Sequence, residues 1–305
     1  MKKVFLFLFT FIVITFNIAN LAYSYSLDEE YKLQNKGEKL LEKYIDKNNI
    51  KDYDETSEEY QEIIKKGIRS LKNQLLKEGE KLLKKQGEDI NNIISDASFD
   101  PLNNNEDFIL YSYYKLANSD KNNESLMKIS AYSTTSTYYN RTEAVNYAQK
   151  WAKGRNPDYY DFGTNYDCTN FVSQTLQAGY MPFIVDGLFG KYDDDNWYYN
   201  YYTPTNSSWT WGGADNFYDH VLQRTDRYSV KSSYTYLGEG DLIFVDWTNN
   251  GSVDHGMIIT DKTGSSPSQI KLSYHSNNRL DKPLQEVFND PSAVNAKYYY
   301  IKVIY

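Results

Sequence analysis

The segment 167–179 of this 305-residue chain, with the sequence DCTNFVSQTLQAG, carries its clearest structural signal. Apolar residues recur there at three- and four-residue steps, which is the spacing of one face of an α-helix. Asp167 is a favourable residue at a helix N-terminus, and Gly179 is a favourable one just past a C-terminus. The pattern therefore predicts a helix that places Cys168 in its first turn.

Cys168 is the only cysteine of the chain, so no disulfide can form within it. At a helix N-terminus the dipole and the free backbone N–H groups favour a thiolate, and the same N–H groups can stabilise an oxyanion. The charge of Asp167 raises the pKa of a neighbouring thiol unless helix capping engages the carboxylate. Cys168 is thus a candidate nucleophile, and the alternative is an inert cysteine that packs as a small hydrophobic residue.

A candidate base follows in the second half of the chain. Two apolar runs, 240–247 and 254–260, are separated by a turn-rich segment and predict an antiparallel hairpin. His255 lies at the start of the second strand, on the face that alternation also gives to Met257 and Ile259. An imidazole at this place can take the proton of a cysteine nucleophile.

A third predicted strand, 270–275, ends at the second candidate histidine, His275. If it pairs antiparallel with the strand of His255, then His275 or Asn277 lies near that imidazole and can orient it. The third histidine, His220, falls in a predicted helix and receives no catalytic role. For each histidine a structural, hydrogen-bonded role is the alternative.

The composition limits cofactors and partners. A zinc site made of Cys168, His255 and His275 is an alternative to catalysis, but none of the tight ligand spacings of zinc proteins is present. We therefore expect no metal and no other cofactor. The formal net charge of −8 at pH 7 argues against a nucleic-acid partner, which needs a basic surface.

Three segments, 167–174, 240–244 and 254–259, resemble those of the bacterial putative amidase domain family. That family is similar in turn to the NlpC/P60 and CHAP cell-wall hydrolases of the papain-like superfamily. The resemblance covers about residues 138–305 and includes the helix predicted at 141–151. It implies an α+β, papain-like (NlpC/P60-type) domain in which the helix that carries the cysteine packs on an antiparallel sheet.

The resemblance also implies roles for individual residues. Cys168 corresponds to the nucleophile and His255 to the general base. His275 corresponds to the third polar residue, which holds the base, and Asn277 is the reserve for that role.

Two features near the cysteine depart from the family pattern. Papain-like enzymes commonly add an upstream side-chain donor, often Gln, to the oxyanion hole. No Gln lies between Arg155 and Asp167, so Asn165 and Tyr166 are the candidates. The double glycine that usually follows the cysteine helix is replaced here by Gly179-Tyr180.

Residues 1–24 have the pattern of a secretory signal peptide, with two lysines, an apolar run and small residues before a predicted cleavage after Ser24. A membrane anchor is the alternative, but the apolar run is shorter than the roughly 20 residues that a span needs. We therefore expect a secreted protein, extracellular or on the cell wall, without stable membrane insertion.

Residues 25–98 are rich in Lys, Glu, Leu and Ile and predict an α-helical N-terminal region. Its second helix is expected to begin near residue 56. Gly67, Gly79 and Gly87 argue against one unbroken rod, because each glycine costs about 1 kcal/mol inside a helix. We expect this region to dock a partner or the enzyme itself.

The remaining segments are a connector and an aromatic insertion. Residues 99–137 contain an aromatic stretch at 108–114 and predict a connector with one or two strands, after which the last domain spans 138–305. The insertion 180–236 is rich in Trp, Tyr and Asn, which suit glycan or stem-peptide binding. The alternative is an aromatic covering of the sheet.

Together these patterns predict a secreted cysteine amidase or peptidase that hydrolyses an amide bond in peptidoglycan or a peptide. Two other functions stay open at this point. One is a non-catalytic cell-wall-binding module on the same fold, and the other is a secreted effector that deamidates or crosslinks host proteins.

Overall fold

The computed structural model describes residues 32–50, 53, 57–96, 98–102, 104–118, 138–163 and 167–305. The predicted signal peptide lies outside these residues. The chain divides into two compact units, one of 1–135 with 188–190 and one of 136–187 with 191–305. Within the described residues, no helix combines the length and the apolar character needed to cross a bilayer.

The first unit is helical where it is described. Residues 32–47 form α1, and three helices follow: α2 (Glu58–Gln86), α3 (Ile90–Ser95) and α4 (Asn105–Asn118). The hydroxyl of Ser57 accepts a hydrogen bond from the backbone N–H of Tyr60 and so caps the start of α2. The helix ends at Gly87, whose φ of 70° is the left-handed conformation that glycine adopts easily.

The expectation that no single rod spans this region is confirmed at Gly87, where α2 ends, but the helix runs unbroken through Gly67 and Gly79. A Cβ atom at Gly67 would lie 2.7 Å from the ring of Tyr44 in α1. A Cβ atom at Gly79 would lie 2.3 Å from Cβ of Tyr113 in α4. Both glycines therefore allow neighbouring helices to approach closely, and this packing offsets their intrinsic cost in a helix.

The strand expected from the aromatic stretch at 108–114 is also corrected by the structure, since α4 occupies Asn105–Asn118, whereas the rest of the connector, 119–137, lies outside the described residues. Asn104 caps this helix through its side-chain oxygen, which accepts a hydrogen bond of 2.7 Å from the backbone N–H of Asp107. Of the aromatic residues that suggested a strand, Phe108 is buried, as are Leu110 and Ser112 of the same helix, and Tyr111, Tyr113 and Tyr114 are half-buried. Helix packing outweighs the β propensity of aromatic side chains here.

The second unit combines helices with one antiparallel sheet of six strands in the order β1-β6-β2-β3-β4-β5. The strands are β1 (Tyr228–Lys231), β2 (Leu242–Asp246), β3 (His255–Lys262), β4 (Ile270–Tyr274), β5 (Arg279–Pro283) and β6 (Lys297–Val303). The helices are α5 (Arg141–Trp151), α6 (Cys168–Ala178), α7 (Trp209–Gly212), α8 (Ala214–Gln223) and α9 (Leu284–Phe288). Short 3-10 turns occur at Gly190–Tyr192, Pro204–Asn206, Tyr234–Tyr236, Pro267–Gln269 and Pro291–Ala293.

This architecture confirms the predicted mixture of helices and an antiparallel sheet. The β2–β3 hairpin forms with Val245 opposite His255, and β4 pairs antiparallel with β3. Helix α5 begins at the predicted residue, because the side chain of Asn140 accepts a hydrogen bond from the N–H of Glu143.

The sheet is covered on both faces, as the alternation of its side chains requires. On one face, Leu242, Phe244 and Ile258 pack in the same core cluster as Phe171 and Leu176 of α6. On the other face, the core cluster contains the next residues along the same strands and the apolar side chains of α9: Ile243, Val245, Met257, Ile259, Leu284, Val287.

Candidate functional site

Cys168 is the first residue of α6 and is buried. Its Sγ atom lies 3.6 Å from Oγ1 of Thr169. Asp167 occupies the position before the helix, but its carboxylate makes no capping hydrogen bond to the first turn. The predicted helix start is therefore correct, whereas the carboxylate of Asp167 binds groups other than the N-terminus of this helix.

His255 is the first residue of β3, and its imidazole lies near enough to the thiol of Cys168 to lower the pKa of that group through its charge and a hydrogen bond. The backbone N–H of the next residue, Gly256, lowers the pKa of the thiol as well. A Cβ atom at Gly256 would lie 2.6 Å from the ring of Phe244 on β2. A glycine at this position thus lets β3 pass close to a buried aromatic ring while its N–H acts on the thiol.

Different features around the thiol of Cys168 shift its pKa in opposite directions. Burial raises the pKa of Cys168, and this is the largest single influence. The charge and the hydrogen bond of His255 lower it, and the N–H of Gly256 and the hydroxyl of Thr169 act in the same direction. The lowering influences prevail and bring the pKa of the thiol to about 7. A large fraction of Cys168 is therefore thiolate at neutral pH.

Aromatic rings enclose the imidazole of His255. The ring of Tyr274 meets it edge to face at a centroid distance of 5.0 Å, and the ring of Trp247 lies 6.2 Å away. Burial raises the pKa of Tyr274 to about 12, so this phenol stays neutral at physiological pH. Tyr274 and Trp247 thus give the imidazole two uncharged neighbours.

His275 does not lie beside His255, in contrast to the role predicted for it. Its Nδ1 atom lies 2.5 Å from Oδ2 of Asp167, and its Nε2 atom lies 3.0 Å from the backbone oxygen of Trp151. Its ring stacks on Phe171 at 4.0 Å. The reason is the alternation of β4: Tyr274 shares the face of His255, so the next residue points to the face covered by α5 and α6.

Asn277, the reserve for the same role, lies in the turn after β4 and is exposed. Its φ is 130°, and its backbone oxygen accepts a hydrogen bond from the guanidinium of Arg279. The structure thus brings Cys168 and His255 together and places both predicted partners of the base elsewhere.

Two residues that the sequence reasoning missed bind the carboxylate of Asp167. Nε of Arg155 lies 2.9 Å from Oδ2, and Nδ2 of Asn170 donates a 2.6 Å hydrogen bond to Oδ1. The backbone N–H of Phe162 contacts Oδ1 at 3.4 Å. Asn170 was recognisable from its i,i+3 spacing to Asp167 on a predicted helix. Arg155 carried no such signal, because it follows α5 in an irregular loop.

Asn170 also connects α6 to the aromatic insertion. Its Nδ2 atom donates to the backbone oxygen of Tyr160 at 3.0 Å, and its Oδ1 atom accepts a 2.7 Å hydrogen bond from Nε1 of Trp211. Trp197 is likewise buried, and its Nε1 donates to the hydroxyl of Ser173. Trp197 and Trp211 are therefore core residues, which agrees with the alternative prediction that the insertion is an aromatic covering of the sheet. The exposed rings of the insertion are Tyr180, Tyr201, Tyr202 and Tyr236, with relative exposures of 52%, 52%, 99% and 62%, and Tyr160, which precedes it in the chain, is 50% exposed.

The end of α6 explains the departure from a double glycine. A Cβ atom at Gly179 would lie 2.4 Å from the ring of Tyr139, so glycine is required there by close packing. Gly179 has a φ of −77°, and Tyr180 takes the left-handed conformation with a φ of 69°. The predicted helix end at Gly179 is confirmed, but the left-handed turn falls on the next residue, Tyr180.

Three further expectations concern other parts of the site. The predicted oxyanion donors Asn165 and Tyr166 lie outside the described residues. Among the residues that the structure covers, no three His, Cys, Asp or Glu side chains cluster so that they could hold a metal ion. His220 is buried in α8, where its Nδ1 contacts the backbone oxygen of Asp194 at 2.7 Å.

Comparisons with known proteins identify the family. The model of the putative amidase domain matches residues 138–300, and the chain belongs to this family. Membership suggests a hydrolase that acts on amide bonds. No solved structure gives a significant match.

Two uncharacterized proteins of Bacillus subtilis (strain 168) are similar to this chain. YjcM is 30% identical over 156 residues, which are 49% of this chain and 34% of YjcM. YhbB is 31% identical over 142 residues, which are 46% of this chain and 43% of YhbB. The aligned part therefore spans less than half of the length of either relative.

Proposed function

We propose that this member of the putative amidase domain family is a secreted cysteine amidase or peptidase with a papain-like arrangement of nucleophile and base. The observation that supports the proposal most directly is the buried contact between Cys168 and His255, in which the pKa of the thiol falls to about 7. A thiol that ionises near neutral pH beside an imidazole is the combination that cysteine hydrolases need.

In the first half-reaction, the thiolate of Cys168 attacks the carbonyl carbon of the substrate amide, and the imidazole of His255 holds the proton of the thiol. The tetrahedral intermediate collapses when His255 gives this proton to the leaving amine. The carbon–nitrogen bond breaks, and the acyl group stays on the sulfur as a thioester.

In the second half-reaction, the neutral imidazole of His255 takes a proton from water as the water oxygen attacks the thioester carbonyl. The carbon–sulfur bond breaks, a carboxylic acid leaves, and the proton returns to the sulfur. The free backbone N–H groups in the first turn of α6 are the donors that we assign to the oxyanion in both steps.

Peptidoglycan is the substrate that we propose. The sequence of residues 1–24 supports it through its signal-peptide pattern, and the resemblance of the putative amidase domain family to cell-wall hydrolases is consistent with it. Exposed tyrosine rings support it as well, because flat aromatic faces bind sugar rings. Tyr160 lies in a loop whose backbone binds Asn170, two residues from the nucleophile.

The test uses purified mature protein and defined muropeptides, with products identified by mass spectrometry. One substrate contains the amide between sugar and stem peptide, a second contains only stem-peptide bonds, and a third is an unrelated peptide with Gln side chains. We expect a new amine and a new carboxylate from one of the first two, and no product from Cys168→Ala. Asn277→Gly is the matched control, since it removes an exposed amide at a φ that glycine accepts.

The outcomes separate the candidate functions. Product from the third substrate alone would replace wall hydrolysis by deamidation of proteins. No product from any substrate, with undiminished wall binding by Cys168→Ala, would refute catalysis and favour a binding module.

A further inference from the structure

The hydrogen bonds of His275 determine how many protons its ring carries. A backbone carbonyl can only accept, so the contact of Nε2 with the oxygen of Trp151 requires a hydrogen on Nε2. Nδ1 faces Oδ2 of Asp167, which also meets Nε of Arg155, while Oδ1 accepts from Asn170. A carboxylate surrounded by donors on both oxygens is an acceptor, so Nδ1 carries a hydrogen as well.

The charges around His275 agree with a cationic ring. Arg155 contacts Asp161 as well as Asp167, so two acids face one guanidinium. The N–H of Gly163 lowers the pKa of Asp161, and the charges of Arg155 and His275 act in the same direction. Lys153, which follows α5, is directed to the backbone oxygen of Asn278. If His275 is a cation, the net charge of the network is zero, because two acids, Asp161 and Asp167, are balanced by two cations, Arg155 and His275.

This network lies directly behind the proposed nucleophile. Asp167 is fully buried and precedes Cys168 in the chain, so an uncompensated carboxylate there would oppose formation of the thiolate. Its carboxylate does not cap α6, and the cations of Arg155 and His275 therefore provide its compensation. His275 is also stacked on Phe171 of the same helix, which fixes the ring against α6.

We propose that His275 is a positioning residue of the cysteine hydrolase: as an imidazolium it holds Asp167 at the start of α6 and, with Arg155, cancels the carboxylate charge beside Cys168. The inference rests on the proposed function for its purpose, but its evidence is independent of any substrate. His275 then acts on the nucleophile through Asp167 and does not touch the reacting atoms.

The first measurement detects the protons of His275 in the wild-type protein. Heteronuclear NMR of the histidine side chains at pH 7 should show hydrogens on both Nδ1 and Nε2 of His275. The assignment comes from the contact of the His275 ring with the ring of Phe171 in the wild-type spectrum. A single ring hydrogen on His275 would overturn the proposal, and this result does not depend on whether any variant folds.

The second measurement is the pH dependence of Cys168 alkylation by iodoacetamide, with circular dichroism as a check on folding. His275→Gln keeps a hydrogen-bond donor but removes a positive charge, so the network gains a net negative charge. We expect the alkylation midpoint to rise by about one pH unit, which lowers the rate at pH 7 about fivefold.

The double variant Asp167→Asn/His275→Gln removes both charges and restores neutrality. We expect the alkylation midpoint of the double variant to return toward the wild-type value. A merely structural role predicts instead that the second substitution in the buried network moves the midpoint further from that value. An unmoved midpoint in His275→Gln, or no reversal in the double variant, would refute the proposal. Because alkylation needs no substrate, a wild-type protein that shows these shifts yet hydrolyses nothing would refute only the proposed function.

Discussion

Replacing His255 tests the electrostatic basis of the site most directly. In the folded protein, burial pushes the pKa of the Cys168 thiol upward, and the charge and hydrogen bond of His255 are the strongest influences that pull it down to about 7. His255→Asn removes the charge, which is the larger of the two influences, and shortens the hydrogen-bonding side chain, while burial stays. The pKa of the thiol should therefore rise to its ordinary value of 9.0 or above.

The magnitude follows from the two ionised fractions. At pH 7 a thiol with a pKa of about 7 is half thiolate, and one with a pKa of 9 is about 1% thiolate. The rate of alkylation of Cys168 at pH 7 should thus fall at least about 50-fold in His255→Asn, and hydrolysis should fall by at least that factor. Mass spectrometry of iodoacetamide-treated protein across pH 5–10 measures the effect, and Cys168 is the only reactive thiol. An alkylation midpoint still near 7 in His255→Asn, with the same midpoint in the Asn277→Gly control, would refute the assignment of His255.

Three further predictions concern the same site. In the wild type, kcat/KM for amide hydrolysis should rise with pH through about 7, because the thiolate of Cys168 is the reacting form, and a pH profile on a defined muropeptide checks this. Gly256→Ala should lower the free energy of unfolding by about 1 to 3 kcal/mol in urea denaturation, because its Cβ would meet the Phe244 ring at 2.6 Å; the variant Gly256→Ala/Phe244→Leu should recover part of this loss. The folded thiol pKa lies below the unfolded one, so the contribution of the thiol to stability is lost as pH falls through 7, and unfolding in urea should cost roughly 1.5 to 2 kcal/mol more at pH 9 than at pH 7 in wild type relative to Cys168→Ala.

Local patterns predicted the parts of the site that local interactions determine. The segment 167–179 folds as a helix from Cys168 because its apolar residues share one face, and the β2–β3 hairpin forms because two apolar runs flank a turn. The face of a residue near the end of a strand depends on register, which the sequence does not reveal. β4 pairs with β3 so that Ser273 lies opposite Ile258, and this register directs Tyr274 and not His275 toward the face of His255.

Other features depended on contacts between distant segments. The partnership of Arg155 with Asp167 brings together a loop and a helix end, and no spacing in the sequence indicates it. The glycines of α2 gave a misleading signal for a related reason, since their packing against Tyr44 and Tyr113 compensates a local cost that is visible in the sequence.

The three histidines illustrate why residue type alone does not define a site. All three are buried, yet each meets a different kind of partner. Burial, followed by the charge of Arg224, lowers the pKa of His220 to about 3, so its ring is neutral and serves a backbone oxygen. His275 faces a buried carboxylate and a carbonyl, which both require a hydrogen from the ring. Only His255 faces a group that can exchange a proton with it and then react with a substrate. The catalytic role is therefore assigned to His255, because it is the histidine that acts on the thiol of Cys168.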